Sequence, residues 1–411
     1  MPSRPEHEPG RARQTGWALL GRVAYGACQL GLLVAITRLG GRADIGDFSL
    51  ALAVTAPPMV FANLQLRALY ATDVDARFSW RSYAIVRVVA TAFALVACVA
   101  LAAAHHGQAR WAIAWLAVAK AAETLSDLQH GVFQRRGRME CFGQSMTLRG
   151  VGSIAAVAIT LAVGAGLSWA MAAMALTWIA ALALFDWPRA RALRVPGTRG
   201  DATVRLLLQG LPLGTVFLLD SLHQNLPRYF VEATLGTASL GLFAPMAYMV
   251  TIGSAFAFAI AAPQAPRLAE LARRGQAREL LARTRRMSLR TGALGLVGVA
   301  LAWSLGAPVL GVVFGPAWAA EAHTLVVVAI AGTLHFAMVP VMLALTAARA
   351  LAIQLTCYLA AIVGCALACA AWLPTGGIAA AASASAIGMA CGLVTATLAL
   401  RRRAAAMEAT A

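Results

Sequence analysis

The sequence predicts an all-α, polytopic membrane protein, with about twelve transmembrane helices in two six-helix halves around a central cavity. Three observations predict it. Of the 411 residues, 60% are hydrophobic and only 12% charged, about half the charged share of an ordinary soluble domain. The apolar residues come in blocks close to the roughly 20 residues that a helix needs to cross a bilayer. The basic residues collect in alternate gaps between those blocks, as the positive-inside rule requires of an even-numbered bundle.

In chain order, a polar tail (1–15) precedes predicted spans at 16–37, 45–66, 84–105, 111–133, 148–166 and 168–186. The first block is too long for a signal-peptide core and has no obvious cleavage site, so it is read as a retained span. A linker at 187–205 leads to the second half, 206–400, with spans at 206–227, 238–262, 291–313, 323–346, 351–372 and 377–400, and a tail follows at 401–411. Pro57-Pro58 removes backbone donors inside the second span and predicts a kink there. A weak repeat supports the division: Leu39-Gly40 followed by Ile45-Gly46-Asp47-Phe48 matches Leu235-Gly236 followed by Leu240-Gly241-Leu242-Phe243. Each copy opens the second helix of its half. Paired halves with a substrate path between them are a common transporter plan.

Charge fixes the expected orientation. The net charge is +17, and Lys120 is the one lysine among 34 basic residues. With both termini cytoplasmic, only Arg38, Arg42, Arg110 and Arg228 fall outside, while Arg4, Arg11, Arg199 and the other arginines lie within. The basic segment at 264–290 interleaves leucines 268, 271, 280 and 281 with arginines. It reads either as a helix lying on an anionic membrane surface or as a plain linker. The basic residues have neither the zinc-finger spacing nor the aromatic interleaving of a nucleic-acid surface, so no nucleic acid is expected. The seven cysteines include no CxxC pair and read as small apolar packing residues. No metal-ligand spacing, phosphate loop or nucleophile motif occurs, so neither cofactor nor catalytic residue is predicted. The short external loops leave no domain for a polymerase or ligase to use.

Polar side chains inside spans are costly and mark cavities or partners. On the fourth span, Lys120, Glu123, Asp127, His130 and Gln134 fall within an arc of roughly 80° at 100° per residue. That stripe reads as a water-accessible lumen, with Glu123 or Asp127 available to couple an ion, or as an internal Lys120–Glu123 pair that locks the helix to a neighbour. Arg22, Tyr25 and Gln29 share one face of the first span, where Arg22 reaches inward or snorkels to the interface. The seventh span carries Asp220, Ser221, His223, Gln224 and Asn225, then Pro227 and Arg228, after an interruption at Pro212 and Gly214. That makes it a moving or substrate-facing element, or simply a polar external helix end.

The run Gly210-Leu-Pro212-Leu-Gly214, then Ser221-Leu-His-Gln-Asn225-Leu-Pro227-Arg228-Tyr229-Phe230, resembles the Wzx-type polysaccharide flippases. So do Leu235-Gly236, Leu240-Gly241-Leu242-Phe243, Tyr248, Pro266-Arg267-Leu268-Ala269, and the opening from Arg38-Leu39-Gly40 to Arg67. These flippases share a superfamily with multidrug exporters and the lipid II flippase. The resemblance implies a bacterial inner-membrane protein that turns an undecaprenyl-pyrophosphate-linked oligosaccharide across the bilayer by alternating access. It would serve O-antigen, capsule or exopolysaccharide assembly, with membrane lipids, a polymerase and chain-length machinery as partners. Arg22, Lys120 and Arg228 would meet the pyrophosphate, with Arg67, Arg87 and Arg149 nearer the cytoplasmic mouth. Gln29, Asn63, Gln224 and Asn225 would bond sugar hydroxyls, and Tyr25 and His223 would line the path. Asp220 joins Glu123 and Asp127 as an ion-coupling candidate. The first span offers Arg22 and no acid, which favours an anionic substrate over the cations of the drug exporters. The lipid II flippase typically has two more helices than are expected here.

Overall fold

The computed structural model describes residues 10–73, 77–194 and 202–409. Arg4 and Arg199, counted in the orientation above, lie outside them, as does the side chain of Arg11. Every regular element among the described residues is helical. Apolar blocks this long can satisfy their backbone polar groups in a bilayer only by closing i to i−4 hydrogen bonds within the segment.

The chain forms two compact units, Met1–Gly214 and Thr215–Ala411. The first holds α1 (Arg11–Leu39), α2 (Arg42–Asn63), α3 (Leu66–Thr72), α4 (Trp80–Ala103), α5 (Gly107–Arg135), α6 (Met139–Ala162), α7 (Leu167–Ala180) and α8 (Trp187–Leu193). A π-helical turn, Ala181–Asp186, joins α7 to α8. Helix α9 (Thr203–Leu235) begins in the first unit and ends in the second. The second unit continues with α10 (Thr237–Ala261), α11 (Ala265–Arg273), α12 (Ala277–Val313), α13 (Pro316–Ala319), α14 (Ala322–Ala347) and α15 (Leu351–Ala409).

Ten helical stretches among the described residues are long and apolar enough to span a membrane. One of them, at α15, is two helices meeting at Gly377 (φ 59°, ψ −153°), a left-handed conformation natural only to glycine. Helix α5 is not among the ten, although its 29 residues would reach about 43 Å. Its charged stripe lowers its hydropathy, so the helix that fails the apolar test is the one the sequence marks as functional.

Helix α5 is also the axis of the first unit, packing against α2, α4 and α7. Helix α1 packs along α6 through glycine. A Cβ on Gly21 would lie 2.6 Å from Gly143 Cα, and one on Gly143 would lie 2.9 Å from the Trp17 carbonyl oxygen. Small residues let membrane helices approach this closely.

Helix α2 runs through Pro57 and Pro58 to Asn63. The chain turns later, where Leu64 (φ 44°) and Gln65 (φ 52°) take left-handed conformations. Gly210 and Gly214 of α9 pack on that turn, with Cβ positions 2.9 Å from the Leu64 carbonyl oxygen and 2.8 Å from its side chain. The 264–290 segment is neither a surface helix nor a linker. It consists of the short α11 and the opening turns of α12, and its leucines 268, 271 and 280 are fully buried in the core of the second unit. They hold α11 against the protein and leave the arginines outside.

Replacing Gly143 with leucine forces α1 off α6. The expected loss is about 1–3 kcal/mol, typical of overpacking, read as a lower midpoint in thermal unfolding of the purified protein. The control Gly164→Ala, at a turn with open space around it, changes only a left-handed φ and should cost less.

A cationic cavity in the first unit

The stripe on α5 faces a cavity of about 320 Å³. Helix α1 contributes Arg22 to its wall, α2 contributes Asn63, α3 contributes Arg67, α5 contributes Lys120, Glu123, Asp127 and His130, and α6 contributes Phe142, Met146 and Arg149. One turn of helix separates successive members of the α5 stripe, which is why they reach the same space.

The carboxylates are held by cations. Lys120 Nζ lies 2.8 Å from Glu123 Oε2, and the Tyr25 hydroxyl donates to Glu123 Oε1 at 3.1 Å. The Lys120–Glu123 pair exists, within α5 and not to a neighbouring helix, and it stands in the cavity wall. Asp127 accepts from Arg67 Nη1 at 3.4 Å and from Arg87 Nη2 at 3.2 Å. Arg87 also donates to Asn63 Oδ1, and Arg67 Nε donates to Gln134 Oε1 at 3.3 Å. Four cationic side chains of the wall (Arg22, Arg67, Lys120, Arg149) face two carboxylates, leaving an excess of positive charge.

Aromatic faces support the cations. Lys120 Nζ lies 5.3 Å from the Trp178 ring, and the Arg149 guanidinium carbon lies 5.8 Å from the same ring. Arg67 stacks over Phe142 at 4.7 Å. Trp178 is fixed by its own hydrogen bond to Ser153 Oγ at 2.7 Å.

Arg87 and Arg149 are both buried. Their exposures are 0% and 1%. Arg149 lines the cavity, its Nη2 meets Met146 Sδ at 3.0 Å, and its Nε and Nη1 are buried with no hydrogen-bond partner. Behind His130 lies Asp186, fully buried in the π-helical turn, 3.7 Å from His130 Nε2. His130 Nε2 also meets Ser145 Oγ at 3.0 Å. Asp186, Trp178 and Ser145 were not singled out from the sequence. Asp186 ends an apolar block and reads there as an interfacial residue, and nothing in the local sequence announces the π turn that carries it inward.

The cavity thus gathers Arg22, Asn63, Arg67, Lys120, Glu123 and Asp127, with Tyr25 bonded to its rim. Gln29 is not in its wall. His223, Gln224, Asn225, Arg228 and Asp220 lie on α9 in the second unit. There, Asn225 Oδ1 accepts from Arg228 Nη1 at 2.8 Å, and Asp220 is buried close to Gln224, Tyr358 and His335. His223 is buried with neither ring nitrogen bonded. His335 and Tyr358 gave no signal in the sequence, being isolated polar residues in apolar blocks. No group of three or more His, Cys, Asp and Glu side chains among the described residues has the arrangement of a metal site.

Solved structures share this fold over nearly the whole chain. An inward-facing multidrug resistance MATE family transporter of the MOP superfamily aligns with a TM-score of 0.65 and 15% identity, over 97% of this chain and 96% of that one. The lipid II flippase MurJ, in an inward closed conformation, aligns with a TM-score of 0.69 and 9% identity, over 96% and 90%. The chain is a multi-pass membrane protein with the fold of these proteins, whose own descriptions are those of transporters and flippases. By sequence it is similar to the capsular polysaccharide biosynthesis protein CapF of Staphylococcus aureus, with 24% identity over 292 residues, 70% of this chain and 73% of CapF. No protein-family profile matches it.

Replacing Asp127 with asparagine leaves the wholly buried Arg87 without its carboxylate. Breaking a buried pair from one side costs about 3–5 kcal/mol. Thermal unfolding should therefore show a much larger loss for Asp127→Asn than for Lys120→Met, whose partner Glu123 keeps Tyr25 and lies beside Arg149.

Proposed function

We propose that this protein is a flippase that carries an undecaprenyl-pyrophosphate-linked oligosaccharide across the bacterial inner membrane for surface polysaccharide assembly. The observation that carries the reading is the excess positive charge of a cavity set among membrane helices. A pyrophosphate in bare hydrocarbon would cost tens of kcal/mol by the Born estimate. Preorganised cations in a walled cavity remove most of that cost, and the fork of an arginine suits phosphate oxygens in particular. Arg149, with donors to spare, and Lys120 are assigned the pyrophosphate. Arg22 and Arg67 extend the cationic wall, and Asn63 offers an amide to sugar hydroxyls.

A cation exporter that used this cavity would need a carboxylate free there to hold its substrate. Here Glu123 and Asp127 are both held in ion pairs. The likeness to CapF adds polysaccharide assembly to the picture, and the likeness to MurJ adds a relative in fold that handles a lipid-linked substrate. Alternating access of the two halves, with cytoplasmic termini, completes the reading. Among the three acids singled out from the sequence, Asp220 has no cation bonded to it among the described residues, and the reading gives it the coupling ion. In the second unit, His223, Gln224, Asn225 and Arg228 would receive the head group in later stages, with the polymerase and chain-length machinery as the consumers of the product.

The test is a leaflet-to-leaflet assay in reconstituted vesicles with a short undecaprenyl-pyrophosphate oligosaccharide. Wild type should translocate it, and Lys120→Ala or Arg149→Gln should slow translocation at least tenfold, about 1.4 kcal/mol per lost contact. No translocation by wild type, together with proton-driven uptake of an organic cation, would replace this reading with the exporter.

A further inference from the structure

The second unit holds another basic cavity, of about 670 Å³, with no part in the translocation reading. It is walled by α11, by the turn between α14 and α15, and by the end of α15. Its cations are Arg273, Arg349 and Arg403, its one acid is Glu270, and Ala348 and Met407 are among its apolar lining residues.

The surrounding acids are already taken. Glu270 pairs with Arg273 and Arg274, Glu279 with Arg267 at 3.3 Å, and Glu408 with Arg278 at 3.5 Å. Arg349 and Arg403 have no ion-pair partner among the described residues. Two unpaired guanidiniums therefore face a cavity whose single carboxylate is already bonded twice. Arg349 also stands where helix α14 ends in a left-handed residue (φ 53°), a position that favours glycine. An arginine kept in that conformation points to a role for its side chain.

The level of the site in the membrane follows from connectivity. Only residues 348–350 separate two membrane-spanning helices, so the turn must lie at the edge of the hydrocarbon, where lipid phosphates sit. Arginines there meet phosphate, and the apolar lining meets the first carbons of acyl chains. Basic pockets between spanning helices of this kind suit dianionic lipid head groups.

We propose that this cavity binds a dianionic phospholipid of the diphosphatidylglycerol class, one phosphate at Arg349 and the other at Arg403. The lipid bridges the α14–α15 turn to the end of α15. It is a fixed lipid and not the transported one, and the inference stands whether or not the protein is a flippase.

The experiment is native mass spectrometry of the full-length protein titrated separately with diphosphatidylglycerol, phosphatidylglycerol and inorganic pyrophosphate. Wild type should retain diphosphatidylglycerol in preference to both. Arg349→Gly suits the backbone at that position and should keep its thermal midpoint while binding this lipid roughly tenfold more weakly. Arg403→Gln should weaken it similarly. Equal retention by wild type and both variants would overturn the site. Phosphatidylglycerol bound as well as the dianionic lipid would overturn the two-phosphate assignment, and pyrophosphate bound as tightly would overturn the lipid assignment.

Discussion

Asp127 bonded to both Arg67 and Arg87 is the interaction on which the first unit depends. A guanidinium with no exposure, set among membrane helices, is tolerable only with a carboxylate and further acceptors around it. Asp127 supplies the charge and Asn63 the additional acceptor. One aspartate thereby ties α5 to α3 and α4, the helices that carry the two arginines, and Asn63 brings in α2. Once these contacts and the Lys120–Glu123 pair are made, Arg22 and Arg149 have no spare carboxylate in the wall to neutralise them. The positive potential of the cavity is thus a consequence of how the unit is held together.

The packing around this network serves the same end. The glycine contact between α1 and α6 brings Arg22 and Tyr25 toward the wall from one side. Trp178, locked by Ser153, backs Lys120 and Arg149 from another. The second unit places its charge differently. The acids of its arginine-rich edge are taken by Arg267, Arg273, Arg274 and Arg278, and its inner polar residues cluster on α9, α14 and α15.

Much of this was legible in the sequence, for a physical reason. A lipid environment makes every charged residue in a span conspicuous, so the stripe on α5 could be found from spacing, while Arg67 and Arg149 entered only through the family resemblance. Turns and breaks were less legible. Two prolines in α2 marked a kink, but nothing marked the turn that follows at Leu64-Gln65, which carry no glycine or proline signature. The leucines of 264–290 looked like a membrane-surface face, because periodicity shows that a face is apolar but not what covers it. Asp186 was missed because an acid at the end of an apolar block normally marks the interface. Its inward placement depends on one π-helical turn that is set by tertiary packing.

The central claim is that the cavity of the first unit is electropositive, and charged thiol reagents test it most directly. In a background with the seven native cysteines replaced, Val60→Cys, in the cavity wall, would be modified by an anionic and a cationic methanethiosulfonate of similar size. The account predicts faster reaction with the anionic reagent, a preference that weakens when Arg149 is replaced with glutamine. Faster reaction with the cationic reagent would contradict it.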